Sequence, residues 1–254
     1  MSYVPLSHMF EQIGAAMSLM FGMKVGYPRY SNPMDPKLFL SDLQCLRPTI
    51  FGSFPLFFDK LYHNVMANID KEGPRARHLF EKAVQTKVDN WKRDGSMNHF
   101  WYDRFIFKKV RDILGGNIRF IYSGGAPLAV EVHQFLVASF GCPVYECYGA
   151  SELCGGICST SAWDHQSGVV GGPLPCIKMK LRDLPELGYL STDNPPRGEI
   201  CVKGKSVFRG YFRNPELTLS KYDADGWFRM GDIGIFHPNG SLQVIDRVSS
   251  ICKL

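Results

Sequence analysis

Apolar positions change their period along the chain, and the changes mark out its elements. Behind Pro55, the residues Phe57, Leu61, Val65 and Ile69 recur at helical spacing, which predicts a helix opened by the proline with those four side chains in a core. Upstream, Asp35-Pro36 has the form of a cap followed by proline at the first helical position. That helix should end before Arg47-Pro48, because proline pushes the preceding residue out of the α region. Thr49–Phe54 is a short apolar run read as a strand, and a polar helical region extends to about Asp112. Residues 118–123 and 143–148 are strand-like and flank the apolar-periodic helix Leu128–Phe140. This is a βαβ pattern, which demands a parallel pair with a right-handed crossover.

Beyond residue 168, Gly and Pro become frequent and short alternating runs appear at Ile177–Leu181, Glu199–Lys203 and Leu242–Ile245. The expected fold class is therefore α/β: a parallel βαβ sheet portion with helices over residues 1–168, then a smaller, mostly antiparallel β subdomain over 169–246. A hydrophobic fraction of 45% with a net charge of +5 excludes a disordered chain. No uncharged apolar run reaches the roughly eighteen residues a membrane-spanning helix needs. The start, Met1-Ser-Tyr-Val-Pro-Leu-Ser-His, lacks the basic and apolar regions of a secretory signal. Eight scattered cysteines read as reduced thiols of a cytoplasmic or cytosol-facing protein. Cys154 and Cys158 flank Gly-Gly-Ile with Cys147 and His165 nearby, but the absence of a C-x-x-C pair disfavours zinc.

The charge is uneven. Lys71 to Arg111 carries eleven Lys/Arg against five Asp/Glu, and the rest of the chain is about neutral. A solvated helix face accounts for such a stretch. Trp91, Phe100, Trp101 and Phe105 lie among the basic residues, which favours a peripheral membrane surface over nucleic acid as a partner.

In an open parallel sheet, ligands bind at the carboxyl ends of the strands. Two loops hold that position here: Ser123-Gly124-Gly125-Ala126-Pro127 after the first βαβ strand, and Tyr148-Gly149-Ala150-Ser151-Glu152 after the second. If those strands are neighbours, the loops share one crevice. The glycines let a flat ring approach the backbone, and Tyr148 offers a face on which a base can stack. Ser151 offers a hydroxyl to phosphate, and Glu152 a hard oxygen suited to Mg²⁺. Downstream, Asn239-Gly240 between apolar runs predicts a hairpin that would hold Asp232 at the end of one strand and Asp246-Arg247 at the end of the other. A carboxylate so held can accept two hydrogen bonds from a vicinal diol, as acidic residues do from ribose.

These motifs resemble those of the AMP-forming acyl-CoA synthetases of the adenylate-forming superfamily, and the long-chain fatty acid ligases most. Further stretches carry the same likeness: Tyr3-Val-Pro-Leu-Ser-His8, Val170-Gly-Gly-Pro-Leu-Pro, Arg197-Gly-Glu-Ile-Cys-Val-Lys-Gly and Val207-Phe-Arg-Gly-Tyr-Phe-Arg-Asn-Pro-Glu. The resemblance implies a two-step ligase that uses ATP, Mg²⁺ and CoA to turn a fatty acid into acyl-AMP and then acyl-CoA. It implies that Gly124, Gly125, Ala126 and Pro127 lie against adenine, with Tyr148 and Gly149 adding the stacking surface. Ser151 would touch phosphate, Glu152 hold the metal and Asp232 hold the ribose. His8 would line the acyl end. Asp246 would be the hinge to a small C-terminal domain, with Arg247 beside it, so that residues 247–254 begin that hinge. An intracellular membrane such as the endoplasmic reticulum, approached from the cytosol, is the implied location.

The family's Ser/Thr/Gly-rich phosphate loop ending in Pro-Lys-Gly does not occur in this sequence, and the expectation is the central piece of a longer enzyme. Met230 stands where relatives carry threonine, and Val248-Ser249-Ser250 where they carry a lysine-rich run. The alternatives are a non-catalytic nucleotide- or acyl-binding remnant, or another adenylate-forming ligase acting on medium-chain, aryl or amino acids.

Overall fold

The computed structural model describes residues 1–29 and 36–250. The chain divides into two compact units, Met1–Tyr145 with Ala162–Gly168, and Glu146–Ser161 with Val169–Leu254.

The first unit opens with α1, Met9–Met20, capped by His8, whose Nδ1 accepts the Phe10 N–H at 3.1 Å. Helix α2, Pro36–Leu46, begins at the expected proline; its expected cap, Asp35, lies outside the described residues. Strand β1, Ile50–Ser53, is followed by α3, Pro55–Glu72. The deep face of α3 is Phe58, Leu61, Val65 and Met66, whereas Phe57 and Ile69 are only partly buried. A strict i, i+4 series advances about 40° too far at each step, so the buried stripe follows mixed three- and four-residue spacing instead.

Helix α4, Pro74–Asp94, ends on left-handed Gly95, and the short helices α5, Phe100–Phe105, and α6, Lys108–Ile113, complete the polar region. Next come β2, Phe120–Gly124, α7, Val130–Phe140, and β3, Val144–Ala150, in the anticipated strand–helix–strand order. Strands β1 and β2 pair in parallel from Ile50↔Phe120 to Ser53↔Ser123, and the Ile121 N–H donates to the Pro143 carbonyl just ahead of β3. Phe51, Phe58, Phe107, Ile121, Phe135 and Leu136 form the centre of this unit's core.

The residues of β3 from Glu146 onward belong to the second unit. There they pair antiparallel with β4, Gly155–Ser159, which pairs with β5, Gly172–Pro173. The strand order of this mixed sheet is β1-β2-β3-β4-β5. Strand β4 was not anticipated, since its glycines hide any alternation. They serve close approach: a Cβ on Gly149 would lie 1.8 Å from the Gly155 carbonyl oxygen. Cys158 is therefore a core residue of β4, while Cys154 is exposed.

The remaining strands are β6, Ile177–Arg182, β7, Arg197–Gly204, β8, Phe228–Phe236, and β9, Leu242–Arg247, with α8, Pro215–Ser220, between β7 and β8. They form a four-stranded antiparallel sheet in the order β6-β7-β8-β9, over a core of Ile177, Ile200, Val202, Phe228 and Leu242. The β8–β9 hairpin is present, but its loop is longer than a two-residue turn. The Gly240 N–H returns to the His237 carbonyl, the His237 N–H reaches the Ser241 carbonyl, and Gly240 sits at φ +81°. This is a turn with proline at its first central position and glycine at the left-handed position of a bulge.

One expectation needs correction. Asp232 lies in the middle of β8, Phe228–Phe236, not at a strand end, because the strand begins upstream with the pairs Val202↔Phe228 and Cys201↔Arg229. Glycines at 231 and 234 broke the apolar pattern there and shortened the apparent strand.

Candidate functional site

In the second unit, two strand irregularities aim two side chains at each other. The β3–β4 register shifts between Tyr148 and Gly149, and the β8–β9 register shifts between Ile233 and Gly234, next to Asp232. Bulges of this kind re-aim side chains and occur beside active sites. The Tyr148 hydroxyl donates to Asp232 Oδ2 at 2.7 Å, joining residues 84 positions apart. Asp232 Oδ1 accepts from Arg247 Nε at 3.1 Å, across the pair Asp232↔Arg247. Asp232 is buried, whereas the Arg247 side chain is 71% exposed. Burial, then the charge of Asp232, pushes the Tyr148 phenol well above its usual range, so this hydroxyl remains a donor. Asp246 lies outside this chain of contacts: it is exposed, and its Oδ1 accepts the Arg247 N–H at 2.7 Å.

Ser151 and Glu152 sit on a 3-10 turn, Ser151–Leu153, directly after β3. Ser151 is exposed and Glu152 half-buried. The Phe208 N–H donates to the Glu152 carbonyl at 2.7 Å, and the Tyr211 hydroxyl donates to Glu152 Oε1 at 2.8 Å. Burial and the Glu152 carboxylate raise Tyr211 to about 12. Tyr211 thus stands to Glu152 as Tyr148 stands to Asp232. Nothing in residue type alone marked it, although it lies within the stretch Val207–Glu216 whose likeness to ligases was already plain.

Among the described residues no group of three or more His, Cys, Asp or Glu side chains is placed to hold a metal. One half-exposed carboxylate fits Mg²⁺ of the kind that keeps its waters and takes its other ligands from substrate phosphates. A protein cage for zinc or calcium would require more donors.

The first unit holds the other predicted residues. Gly124 is buried at the end of β2, while Gly125, Ala126 and Pro127 are exposed. Gly125 has φ +86°, and a Cβ there would meet the Phe54 ring at 3.2 Å. His8, besides capping α1, packs its ring edge-on against the same Phe54 at 5.3 Å, and Phe10 lies 5.5 Å from it. Phe54 follows the carboxyl end of β1, so His8 and the Gly124–Pro127 turn share one aromatic neighbour that sequence reasoning left unassigned. Tyr3 supports this corner by donating to Ser53 Oγ at 2.7 Å.

Comparison with known proteins accounts for the whole chain. The AMP-binding enzyme family matches residues 1–212. Fatty acyl-CoA synthetase A of Dictyostelium discoideum is 40% identical over 255 aligned residues, covering 100% of this chain and 37% of the relative. Long-chain-fatty-acid–CoA ligase 1 of Homo sapiens is 37% identical, with 100% of this chain and 35% of the relative covered. The adenylation domain of a carboxylic acid reductase from Segniliparus rugosus, solved in complex with AMP and a co-purified carboxylic acid, superposes with a TM-score of 0.76. It is 26% identical, over 100% of this chain and 35% of that one. The chain thus spans little more than a third of the length of these curated relatives. With a tyrosine–carboxylate pair at the bulges, a Gly-Gly-Ala-Pro turn after β2 and matched residues 1–212, the chain belongs to the AMP-binding enzyme family.

Proposed function

We propose that this chain supplies nucleotide- and acyl-facing elements of an AMP-forming ligase that activates long-chain fatty acids. The observation that carries this reading is the 2.7 Å bond from the Tyr148 hydroxyl to Asp232, which sets a buried carboxylate beside an aromatic face. In the second unit, Tyr148 stacks on the base, Asp232 accepts from the ribose hydroxyls and Ser151 donates to phosphate. Glu152 holds Mg²⁺, which when bound neutralises phosphate charge. In the first unit, Gly124–Pro127 offers open backbone to the flat edge of adenine, and His8 with Phe54 lines the acyl end. The reaction is attack of the fatty carboxylate on the α-phosphorus of ATP, giving acyl-AMP and pyrophosphate. CoA thiolate then attacks the acyl carbon and expels AMP. Orientation and charge placement supply the acceleration in both steps. Arg247 and Asp246, at the end of β9, steer the change between half-reactions.

Equilibrium dialysis of the 254-residue chain with labelled AMP tests the nucleotide site. Retention of AMP that Asp232→Asn abolishes is the expected result. Absence of binding by a folded chain would refute it. Pyrophosphate release by the chain alone is expected to be very slow.

The proposal includes a membrane surface. Phe100, Trp101 and Phe105 are 72%, 63% and 63% exposed on α5. Trp101 lies 5.5 Å from Phe100 and stacks on Phe105 at 5.6 Å, and exposed Arg104, Lys108 and Lys109 accompany the three rings. Aromatic rings with basic neighbours suit the interface of an anionic bilayer.

A further inference from the structure

The Tyr148 side chain has two uses that do not compete. Its ring face can carry a base, while its hydroxyl lies in the ring plane and is already committed to Asp232 Oδ2 at 2.7 Å. Each carboxylate oxygen has room for about two hydrogen bonds. With Tyr148 on Oδ2 and Arg247 on Oδ1, one acceptor position is left on each oxygen. Two adjacent acceptors in one plane match two adjacent donors on a cis-diol.

The two restraints differ in kind. Arg247 is 71% exposed and reaches Asp232 at 3.1 Å, so solvent competes for it. Tyr148 is half-buried on β3 beside the register shift at Gly149, where the backbone tolerates no side chain against Gly155. Asp232 is likewise fixed within β8, following Gly231 at φ +73° and preceding the shift at Ile233. The tyrosine hydroxyl is the rigid pin of the carboxylate plane. Without it, the Asp232 side chain would be free to rotate about χ2 and follow the exposed guanidinium.

We propose that Tyr148 is a positioning residue for sugar recognition: its hydroxyl holds the Asp232 carboxylate in the plane that accepts both hydroxyls of a ribose, and so sets the preference for ribo- over 2′-deoxyribonucleotides. This rests on the nucleotide-site reading of the second unit and adds to it a role separate from stacking. A sugar lacking one hydroxyl leaves one held acceptor unpaired, and an acceptor kept from water without a partner is costly. A carboxylate that can turn loses less, since it can redirect its free oxygen.

Affinities of the 254-residue chain for AMP and 2′-deoxy-AMP test this, in the wild type, Tyr148→Phe and Tyr148→Trp. Both variants keep an aromatic face and lose the hydroxyl, and circular dichroism identifies a variant that fails to fold. The wild type is expected to prefer AMP by about tenfold, the scale of one hydrogen bond to a charged group. In a folded variant that preference falls to about twofold, with the affinity for 2′-deoxy-AMP nearly unchanged, as loss of a merely structural contact would not predict. A preference equal to that of the wild type overturns the positioning role while leaving the nucleotide site standing. Tighter AMP binding by the variants overturns it too, since the hydroxyl would then compete with the sugar. Failure of the wild type to bind AMP removes both the role and the site.

Discussion

Asp103 in the first unit and Asp232 in the second are aspartates of similar burial, with side chains 15% and 11% exposed, yet they are held in opposite ways. Asp103 Oδ1 takes both the Lys87 ammonium and Arg111 Nη2, and its Oδ2 takes the His99 N–H at 2.8 Å. Lys87 is itself 1% exposed on α4, with its nitrogen 5.0 Å from the Phe107 ring centre. Asp232 has a neutral hydroxyl on one side and a guanidinium at the surface on the other. A carboxylate loaded with cations and backbone has little left to offer a ligand. One held by a single neutral donor and a displaceable cation keeps acceptors in reserve. Asp103 ties α4, α5 and α6 together, whereas Asp232 is poised for a partner from outside.

The largest effect that tests this contrast is on stability. Removing one member of a buried ion pair typically costs roughly 3–5 kcal/mol. Lys87→Met leaves Asp103 with Arg111, so about 3 kcal/mol is expected, read as a fall in the urea midpoint at unchanged slope. Burial lowers the Lys87 pKa and Asp103 opposes that shift, as for an ammonium kept charged by its partner. Asp232→Asn should cost less than about 1 kcal/mol while removing AMP binding, because Asp232 meets one half-buried neutral donor and one exposed guanidinium. Equal costs for the two substitutions would erase the distinction.

Acid should act on the first unit by a comparable amount. His133 on α7 is 1% exposed, with Nε2 donating to the Val144 carbonyl at 3.2 Å and Nδ1 accepting from Ser167 Oγ at 2.9 Å. A carbonyl only accepts, so Nε2 carries a proton, and burial keeps the ring neutral with Nδ1 as the acceptor. Burial lowers its pKa from 6.5 to about 4, against the opposing bond to Val144. The folded value lies below the unfolded one, so the stabilisation is complete above pH 6.5 and is lost as pH falls from there through about 4. That loss amounts to about 3 kcal/mol. His133→Gln should flatten this part of the stability–pH curve; an unchanged acid slope would assign the effect to other groups.

Much of this frame was legible beforehand, for reasons that also explain what was not. The βαβ pattern and the β8–β9 hairpin stood out because period and turn chemistry are local properties. The depth of Phe58 and Met66 did not, since a helix face is selected by what packs against it. β4 was hidden because Gly155 and Gly156 serve close approach and carry no pattern. Tyr148, Glu152 and Asp232 were singled out by the loops after the strands, by the Asn239-Gly240 hairpin and by family likeness. The hydroxyls that hold those carboxylates were not, since Tyr148 to Asp232 and Tyr211 to Glu152 are contacts between distant positions that no spacing encodes.

A smaller effect separates the two tyrosine–carboxylate pairs of the second unit. Tyr211→Phe removes one half-buried hydrogen bond and should change stability by no more than about 1.5 kcal/mol. Glu152 is the proposed metal ligand, so ATP affinity in Mg²⁺ should fall severalfold while metal-free AMP affinity stays put. Tyr148→Phe should do the reverse, weakening AMP with or without metal. Isothermal titration of each variant with both nucleotides distinguishes them, and identical responses would mean that the tyrosines do not serve separate carboxylates.

The smallest stability change is expected where the ion cluster of the first unit meets the surface. The exposed rings of Phe100, Trp101 and Phe105 contribute little to folding, and surface substitutions of this kind usually fall within about 0.5 kcal/mol. Trp101→Ser with Phe105→Ser should therefore leave the urea midpoint almost unmoved. If α5 presents these rings to a bilayer, the same double substitution should weaken sedimentation with vesicles containing phosphatidylserine by about tenfold, because each ring buries apolar area at the interface. Lys87→Met should weaken vesicle binding as well, although Lys87 never reaches the surface, since Asp103 would lose its link to α4 and hold α5 through Arg111 and the His99 N–H alone. Salt divides the contributions: the attraction of Arg104 and Lys109 is screened over about 8 Å at physiological ionic strength, whereas the aromatic share persists. Equal sedimentation of the wild type and the double variant would leave Asp103 as the anchor of a solvated helix face, with no membrane contact for it to support.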